Sequence, residues 1–264
     1  AILVVLAVGQ TFVVATAGID LSMASVMTLG AIVLGLTFQG TDNIFLAMLA
    51  GVLASSAVGM LNGTIIAKGG ITDFIVTLGA LSAASGLALI LADGKPIQVI
   101  NRFLLKLSAG GIGPFSWSVI VAAVVAVVAH VALFNSRFGL HVLATGGSTE
   151  SARAVGVRTV RVKIAVYTLS GFLAGIAAIL LVARVGAAEP ASNTSFLLNS
   201  VAAVVLGGVS LFGGRATITG PVMGALLLTA LVNGLTLLGL SQFYQPLAVG
   251  IVVVLAALLT RFQK

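Results

Sequence analysis

The sequence predicts an all-α, polytopic membrane protein, with about nine spanning helices in one domain over residues 1–264. Three observations carry that prediction. Hydrophobic residues make up 59% of the chain and charged residues only 7%, against about 25% charged in soluble domains. A soluble fold of this size has too much surface facing water to hide such a composition. Stretches such as Ile120–Ala129 (IVAAVVAVVA) are apolar on every face, which fits a lipid-embedded helix, whereas a spanning strand alternates apolar and polar residues. The 32 glycines suit close helix approach inside a bilayer.

Spanning a bilayer takes about 20 apolar residues at a rise near 1.5 Å, and nine stretches come near that length. They run over 1–17, 22–38, 44–66, 72–92, 116–134, 163–183, 197–212, 218–238 and 244–261. Ala1 already lies inside the first. No basic region precedes that stretch and no cleavage site follows it, so it is not read as a signal peptide, and an upstream helix is expected. Pro96, Pro114, Pro190, Pro221 and Pro246 all fall in loops or near helix starts, where a missing N–H costs little.

Orientation follows from the basic residues. If the segments alternate, one set of loops holds Lys68, Arg137, Arg153, Arg158, Arg161, Lys163, Arg215, Arg261 and Lys264. The other holds Lys95, Arg102, Lys106 and Arg184. The split is nine against four, and together these are the 13 Lys and Arg of the chain. The richer set is assigned to the cytoplasm. The C-terminus is then inside, and one upstream helix would put the N-terminus inside too. Residues 93–115 form a long outer loop, and residues 135–162 a long, polar, basic inner loop suited to docking a cytoplasmic partner.

Several chemistries are excluded. With no cysteine, disulfides and thiolate metal sites are ruled out. The net charge of +7 is not gathered in a stripe with interleaved aromatics, so nucleic-acid binding is rejected. His130 and His141 are isolated. Gly94-Lys95 is followed by Pro96 and is not a P-loop, so an ATP site, if ATP drives the protein, belongs to another chain. Gly208-Val209-Ser210 resembles a membrane serine protease only faintly, because no histidine follows Ser210 to serve as its base. A secondary transporter is the competing transport class. Such proteins carry intramembrane ionisable groups for a coupling ion, and here Asp20 is nearly alone.

Two places interrupt an apolar run, Gly18-Ile19-Asp20 and Phe212-Gly213-Gly214-Arg215, and broken segments in two halves point to a transport path. Asp20 precedes Leu21–Phe38, so it is read as a helix cap bonding an N–H two or three residues on. A capped half-helix can also line the path, so Asp20, Ser22 and Asn62 are the pathway-or-cap candidates. In the inner loop Ser148 or Thr149 suits a cap, Glu150 a helix start and Gly156 a stop. The helix so bounded is shorter than two turns and needs a partner to be stable. Its small residues Ser151, Ala152 and Ala154 suit seating in a groove, with Arg153 pointing away. The basic residues Arg153, Arg158, Arg161 and Lys163 fit topology, lipid headgroups or acidic partner groups. Gly59/Gly63, Gly171/Gly175 and Gly220/Gly224 have the spacing of close helix crossings. Gln242, Tyr244 and Gln245 sit at the outer edge of the last segment, where an aromatic anchors at the interface.

A series of motifs runs along the chain: Ala17–Ser25 (AGIDLSMAS), Asn62–Gly70 (NGTIIAKGG), Phe74–Gly86 (FIVTLGALSAASG) and Gly94-Lys95-Pro96-Ile97. Phe138–Gly156 (FGLHVLATGGSTESARAVG), Val162–Gly175 (VKIAVYTLSGFLAG) and Ala202–Gly214 (AAVVLGGVSLFGG) complete it. In this order of motifs the chain resembles the ribose-type permeases of ATP-binding-cassette (ABC) importers. The resemblance implies a ten-helix inner-membrane fold, of which about nine segments are visible. It also implies a homodimer, two ATPase subunits carrying ATP and Mg, a periplasmic solute-binding protein, and no cofactor in this chain. By the same resemblance Thr149, Glu150, Ser151, Ala152, Arg153, Ala154, Val155 and Gly156 form the coupling helix that engages the ATPase, although the family usually has Asn where this chain has Ser148. Sugars are the first expectation for the solute, with nucleosides and branched-chain amino acids as alternatives.

Overall fold

The computed structural model describes residues 1–191, 194–241 and 243–262, with side chains described for all of these except 194 and 255–262. Among the described residues the chain forms twelve helices and four two-residue strands. In chain order they are α1 (Ile2–Ala15), α2 (Met23–Thr41), α3 (Ile44–Gly69), α4 (Asp73–Leu91), β1 (Ile97–Gln98), α5 (Arg102–Ala109), β2 (Gly111–Ile112), β3 (Phe115–Ser116) and α6 (Trp117–Phe134). There follow α7 (Arg137–Gly147), α8 (Thr149–Ala154), α9 (Thr159–Val185), β4 (Ala187–Ala188), α10 (Thr194–Leu206), α11 (Thr219–Leu237) and α12 (Tyr244–Phe262). Six of them (α2, α3, α4, α6, α9 and α11) are long and apolar enough to cross a membrane. The helices α1, α10 and α12 are apolar but have shorter qualifying stretches.

Each of the nine apolar stretches lies on one of these nine helices, and the fold is a polytopic all-α membrane protein. The stretch 197–212 is the one whose helix stops well short, at Leu206. There the chain turns through Gly208, whose φ of 72° is left-handed and favours glycine. The amphipathic helix α5 and the helix α7 are additions to the sequence reading. They occupy the two long loops, the first capped by Asn101 and the second by Ser136.

The packing separates two ends. At one, β1 pairs antiparallel with β4 (Ile97 opposite Ala188), and Val99 N–H donates to Gly186 O at 2.9 Å. These bonds join the 93–115 loop to the end of α9. At the other end Gly214 N–H donates to Ala15 O at 3.1 Å, and Gly146 has no room for a Cβ against Ala15 and Gly214. The second interruption therefore touches the chain just ahead of the first, at Ala15 and Ala17, beside the end of α7.

Close helix crossings hold the interior. A methyl group at Gly59 would collide with the Tyr167 carbonyl, and one at Gly171 with the Ser55 carbonyl. At Gly63 it would lie 2.9 Å from Ile164 Cα, and at Gly175 2.7 Å from Val52 Cα. The two predicted glycine pairs thus face one another across α3 and α9. Gly220 and Gly224 meet Gly207 and Ala203 across α10 and α11. The central helix is α1, buried at every one of its residues, whereas α6 exposes Val124, Val127, Val128 and Val131 as a lipid-facing helix does.

Candidate functional site

Two places concentrate polar groups that the apolar composition does not require. The first is the elbow between α1 and α2. Helix α1 ends at Ala15, Ala17 takes φ 57°, and Gly18 N–H turns back to Val13 O at 3.1 Å. The chain then places Asp20 in the interior, 2% exposed. Its Oδ1 accepts the Ser22 N–H at 2.9 Å and the Ser22 hydroxyl at 2.6 Å. Its Oδ2 accepts the Ser170 hydroxyl from α9 at 2.7 Å. Asn62 Nδ2 on α3 donates to Ser22 Oγ at 3.0 Å. The three pathway-or-cap candidates, Asp20, Ser22 and Asn62, are therefore one network joining α2, α3 and α9.

The bond from Asp20 to an N–H two residues on is the one the sequence led us to expect. Its position differs, because α2 begins at Met23 and the residue at the cap position is Ser22. Asp20 lies two residues outside the cap and holds it through Ser22. The carbonyl of Ile19 adds a second tie. Tyr167 Oη–H from α9 donates to it at 3.4 Å, and the Thr77 hydroxyl of α4 lies 3.3 Å away while donating to Asp73 O at 2.8 Å. Just beyond, Lys163 Nζ stands 3.5 Å from Asp73 Oδ1, with both side chains largely buried. Ser170, Tyr167 and Asp73 were missed by sequence reasoning. Asp73 is the first residue of α4, and an acid in a first helical turn was the one signal available.

The second place is α8. Ser148 is its cap: Ser148 Oγ accepts the Ser151 N–H at 3.1 Å, and Glu150 lies in the first turn. The C-terminus closes as a Schellman motif. Gly156 N–H donates to Arg153 O and Val157 N–H to Ala152 O, both at 2.9 Å, with Gly156 at φ 86°. The outward surface differs from the expected one. Ala152 is 3% exposed and packs into the chain, so it is not available to a partner's groove. Glu150, Ser151, Arg153, Ala154 and Val155 are outward, Val155 being 79% exposed. Arg153 is not free either, because its Nε–H donates to Thr159 Oγ1 at 2.9 Å and so ties α8 to the start of α9. Thr149 is half-buried and donates to Thr145 O at 3.0 Å.

The remaining polar candidates are dispersed. Arg158 and Arg161 are exposed, and Lys163 is held by Asp73. Gln245 Nε2 donates to Thr236 Oγ1 at 3.1 Å, which ties α12 to α11, and Tyr244 is 58% exposed. Gln242 and Lys264 lie outside the described residues. His130 lies against Phe134, with ring centroids 4.8 Å apart and the rings tilted by 49°. One further polar group stands out. Gln10, in the middle of α1, is fully buried, and its amide has no hydrogen-bond partner among the described residues.

The comparisons with known proteins cover nearly the whole chain. Residues 1–258 match the family described as the branched-chain amino acid transport system / permease component. The chain is 38% identical over 262 residues to the ribose import permease protein RbsC of Bacillus subtilis (strain 168), covering 97% of this chain and 80% of that protein. It is 36% identical over 262 residues to the L-arabinose ABC transporter permease protein AraH of Azospirillum brasilense, covering 98% and 76%. With the D-allose transport system permease protein AlsC of Escherichia coli (strain K12) it shares 31% over 259 residues, covering 98% and 79%. No solved structure matches. A family match over nearly every residue, on a bundle of apolar helices with its motifs at the elbow and the α7–α9 turn, leads to one assignment: the chain belongs to the branched-chain amino acid transport system / permease component family, among its ribose-type ABC permeases.

Proposed function

We propose that this chain is the membrane-spanning subunit of a bacterial ABC importer and carries a sugar or sugar-like solute. One observation carries the reading. Relatives that are 31–38% identical along nearly the whole chain are named for ribose, L-arabinose and D-allose, although the family description names branched-chain amino acids. In this reading a periplasmic solute-binding protein delivers the solute to the outer end, where the 93–115 loop lies. Two ATPase subunits, holding ATP and Mg, dock on the end that carries α8. A pair of permease chains completes the path.

The geometry of α8 supports a docking role. A six-residue helix is unstable by itself in water, yet this one has a side-chain cap, a Schellman stop and an outward face on which Ser151 and Ala154 are short. It is built in advance to enter a groove, the helix-in-groove mode of recognition. The Asp20 network belongs to the same machine as a joint, fixing where α2 starts against α3 and α9. The excess of Lys and Arg supports placing the α8 end and the C-terminus in the cytoplasm.

The test is a reconstituted complex with its ATPase and binding protein. Sugar-loaded binding protein should stimulate ATP hydrolysis. Ala154→Trp, on the outward face, should remove that stimulation while the permease stays folded. Wild-type stimulation in Ala154→Trp would remove α8 from the role. Single cysteines at Ser151 and Ala109 check orientation: an impermeant thiol reagent on intact cells should label 109 alone.

A further inference from the structure

At the end that carries α8, the Phe212 side chain stands clear of the protein. Phe212 is 92% exposed and Leu211 is 47% exposed. They sit on a turn rather than on a helix face. Ser210 N–H donates to Arg215 O at 3.2 Å, and Gly213 N–H to Ser210 O at 3.0 Å. The turn is fixed by backbone alone. Gly214 N–H donates to Ala15 O, and Gly213 and Gly214, with φ 77° and 74°, have no space for a Cβ against Ala17 and Gly147. Gly147 is the residue before Ser148, the cap of α8. Phe212 is thus displayed on a rigid base immediately beside the proposed docking helix.

Charge is the second observation. Among the described residues of this end, Lys68, Arg137, Arg153, Arg158, Arg161 and Arg215 are exposed, against the single exposed acid Glu150. An apolar knob on a preorganised backbone, at an end of the molecule rich in exposed basic residues, has the anatomy of an interface hot spot. Preorganisation matters for a protein partner, because ordering a loop on binding costs affinity. A lipid contact gains nothing from a turn held this tightly.

We propose that Phe212 is a second docking knob for the ATPase subunit, entering an apolar pocket with an acidic rim while α8 enters the neighbouring groove. The proposal rests on the importer reading above. It is tested with the full-length permease in nanodiscs and the purified ATPase subunit as the probe. Phe212→Ala should weaken ATPase binding about tenfold, the size of one hot-spot truncation. Phe212→Leu should recover most of it, and the thermal midpoint should not move, because the turn is held without the side chain. Wild-type affinity in Phe212→Ala, with stimulation still lost in Ala154→Trp, overturns the knob and leaves α8 standing. No ATPase binding by the wild-type permease overturns the importer reading itself. Phe212→Trp in a Trp117→Phe background separates the other occupants. A blue shift when ATPase is added supports the proposal. Quenching by brominated acyl chains that persists with ATPase bound assigns the side chain to lipid and overturns it. Loss of permease dimers in Phe212→Ala assigns it to a second copy and overturns it equally.

Discussion

Asp20 and Gln10 are both buried polar residues, ten positions apart, and they are treated in opposite ways. Both carboxylate oxygens of Asp20 are engaged, with three bonds from two serines. Gln10 has no partner for either amide atom among the described residues. A buried polar group with its bonds made specifies a fold, whereas one without them costs stability. The elbow is therefore where this chain stores structural precision. Mid-α1 is where it gives stability up, and such concessions cluster at sites kept for another purpose.

The comparison can be broken by single substitutions. The largest effect is expected from Asp20→Leu. It strands the Ser22 N–H and two hydroxyls and should lower stability by about 3–5 kcal/mol, read as loss of a monodisperse permease after solubilisation. A well-behaved Asp20→Leu would mean the network is dispensable. Gln10→Leu should shift stability the other way, up by about 1–2 kcal/mol, seen as a higher thermal midpoint. If transport falls as the midpoint rises, the amide serves the transport cycle; a lower midpoint would mean that Gln10 is satisfied after all. Ser170→Ala and Asn62→Ala each remove one interhelical bond and should cost about 0.5–1.5 kcal/mol by detergent titration, without summing to the Asp20→Leu loss because they share one network. Asp20→Asn is the smallest. Its Oδ1 still accepts from Ser22 and its Nδ2 can donate to Ser170, so a change within about 1 kcal/mol and near-normal transport are expected. An Asn variant that folds but does not transport would show that the charge itself is required.

How much of this was legible in the sequence depends on chain distance. The apolar stretches, the Ser148 cap and the Gly156 stop are local patterns; a helix formed on each stretch, though α3 runs on to Gly69 and α9 starts back at Thr159. The glycine spacing on α3 and α9 was legible as well, though not that the two pairs face each other. The partners of the elbow were not. Ser170 and Tyr167 reach Asp20 and Ile19 across 150 and 148 residues, and no window-based pattern connects them. Asp20, Ser22 and Asn62 were singled out one at a time, and packing assembled them. The inward turn of Ala152 was missed for a similar reason, since the burial side of a six-residue helix is decided by the neighbours on which it lies. The turn at Gly207–Gly208 cut short a run that composition alone carries to 212.

The separation between Asp20 and Ser170 also has a consequence in time. A ribosome adding roughly 5–20 residues per second needs about 8–30 s to make the 150 residues between them. Asn62, 40 residues from Ser22, emerges within about 2–8 s at the same pace. While the chain is being inserted, Asp20 has Ser22 and then Asn62's support, but Oδ2 waits for α9. The nascent elbow is held on one side only, and it locks when the later half of the protein arrives. A defect at Ser170 thus belongs to the last stage of assembly, whereas a defect at Ser22 is present from the first.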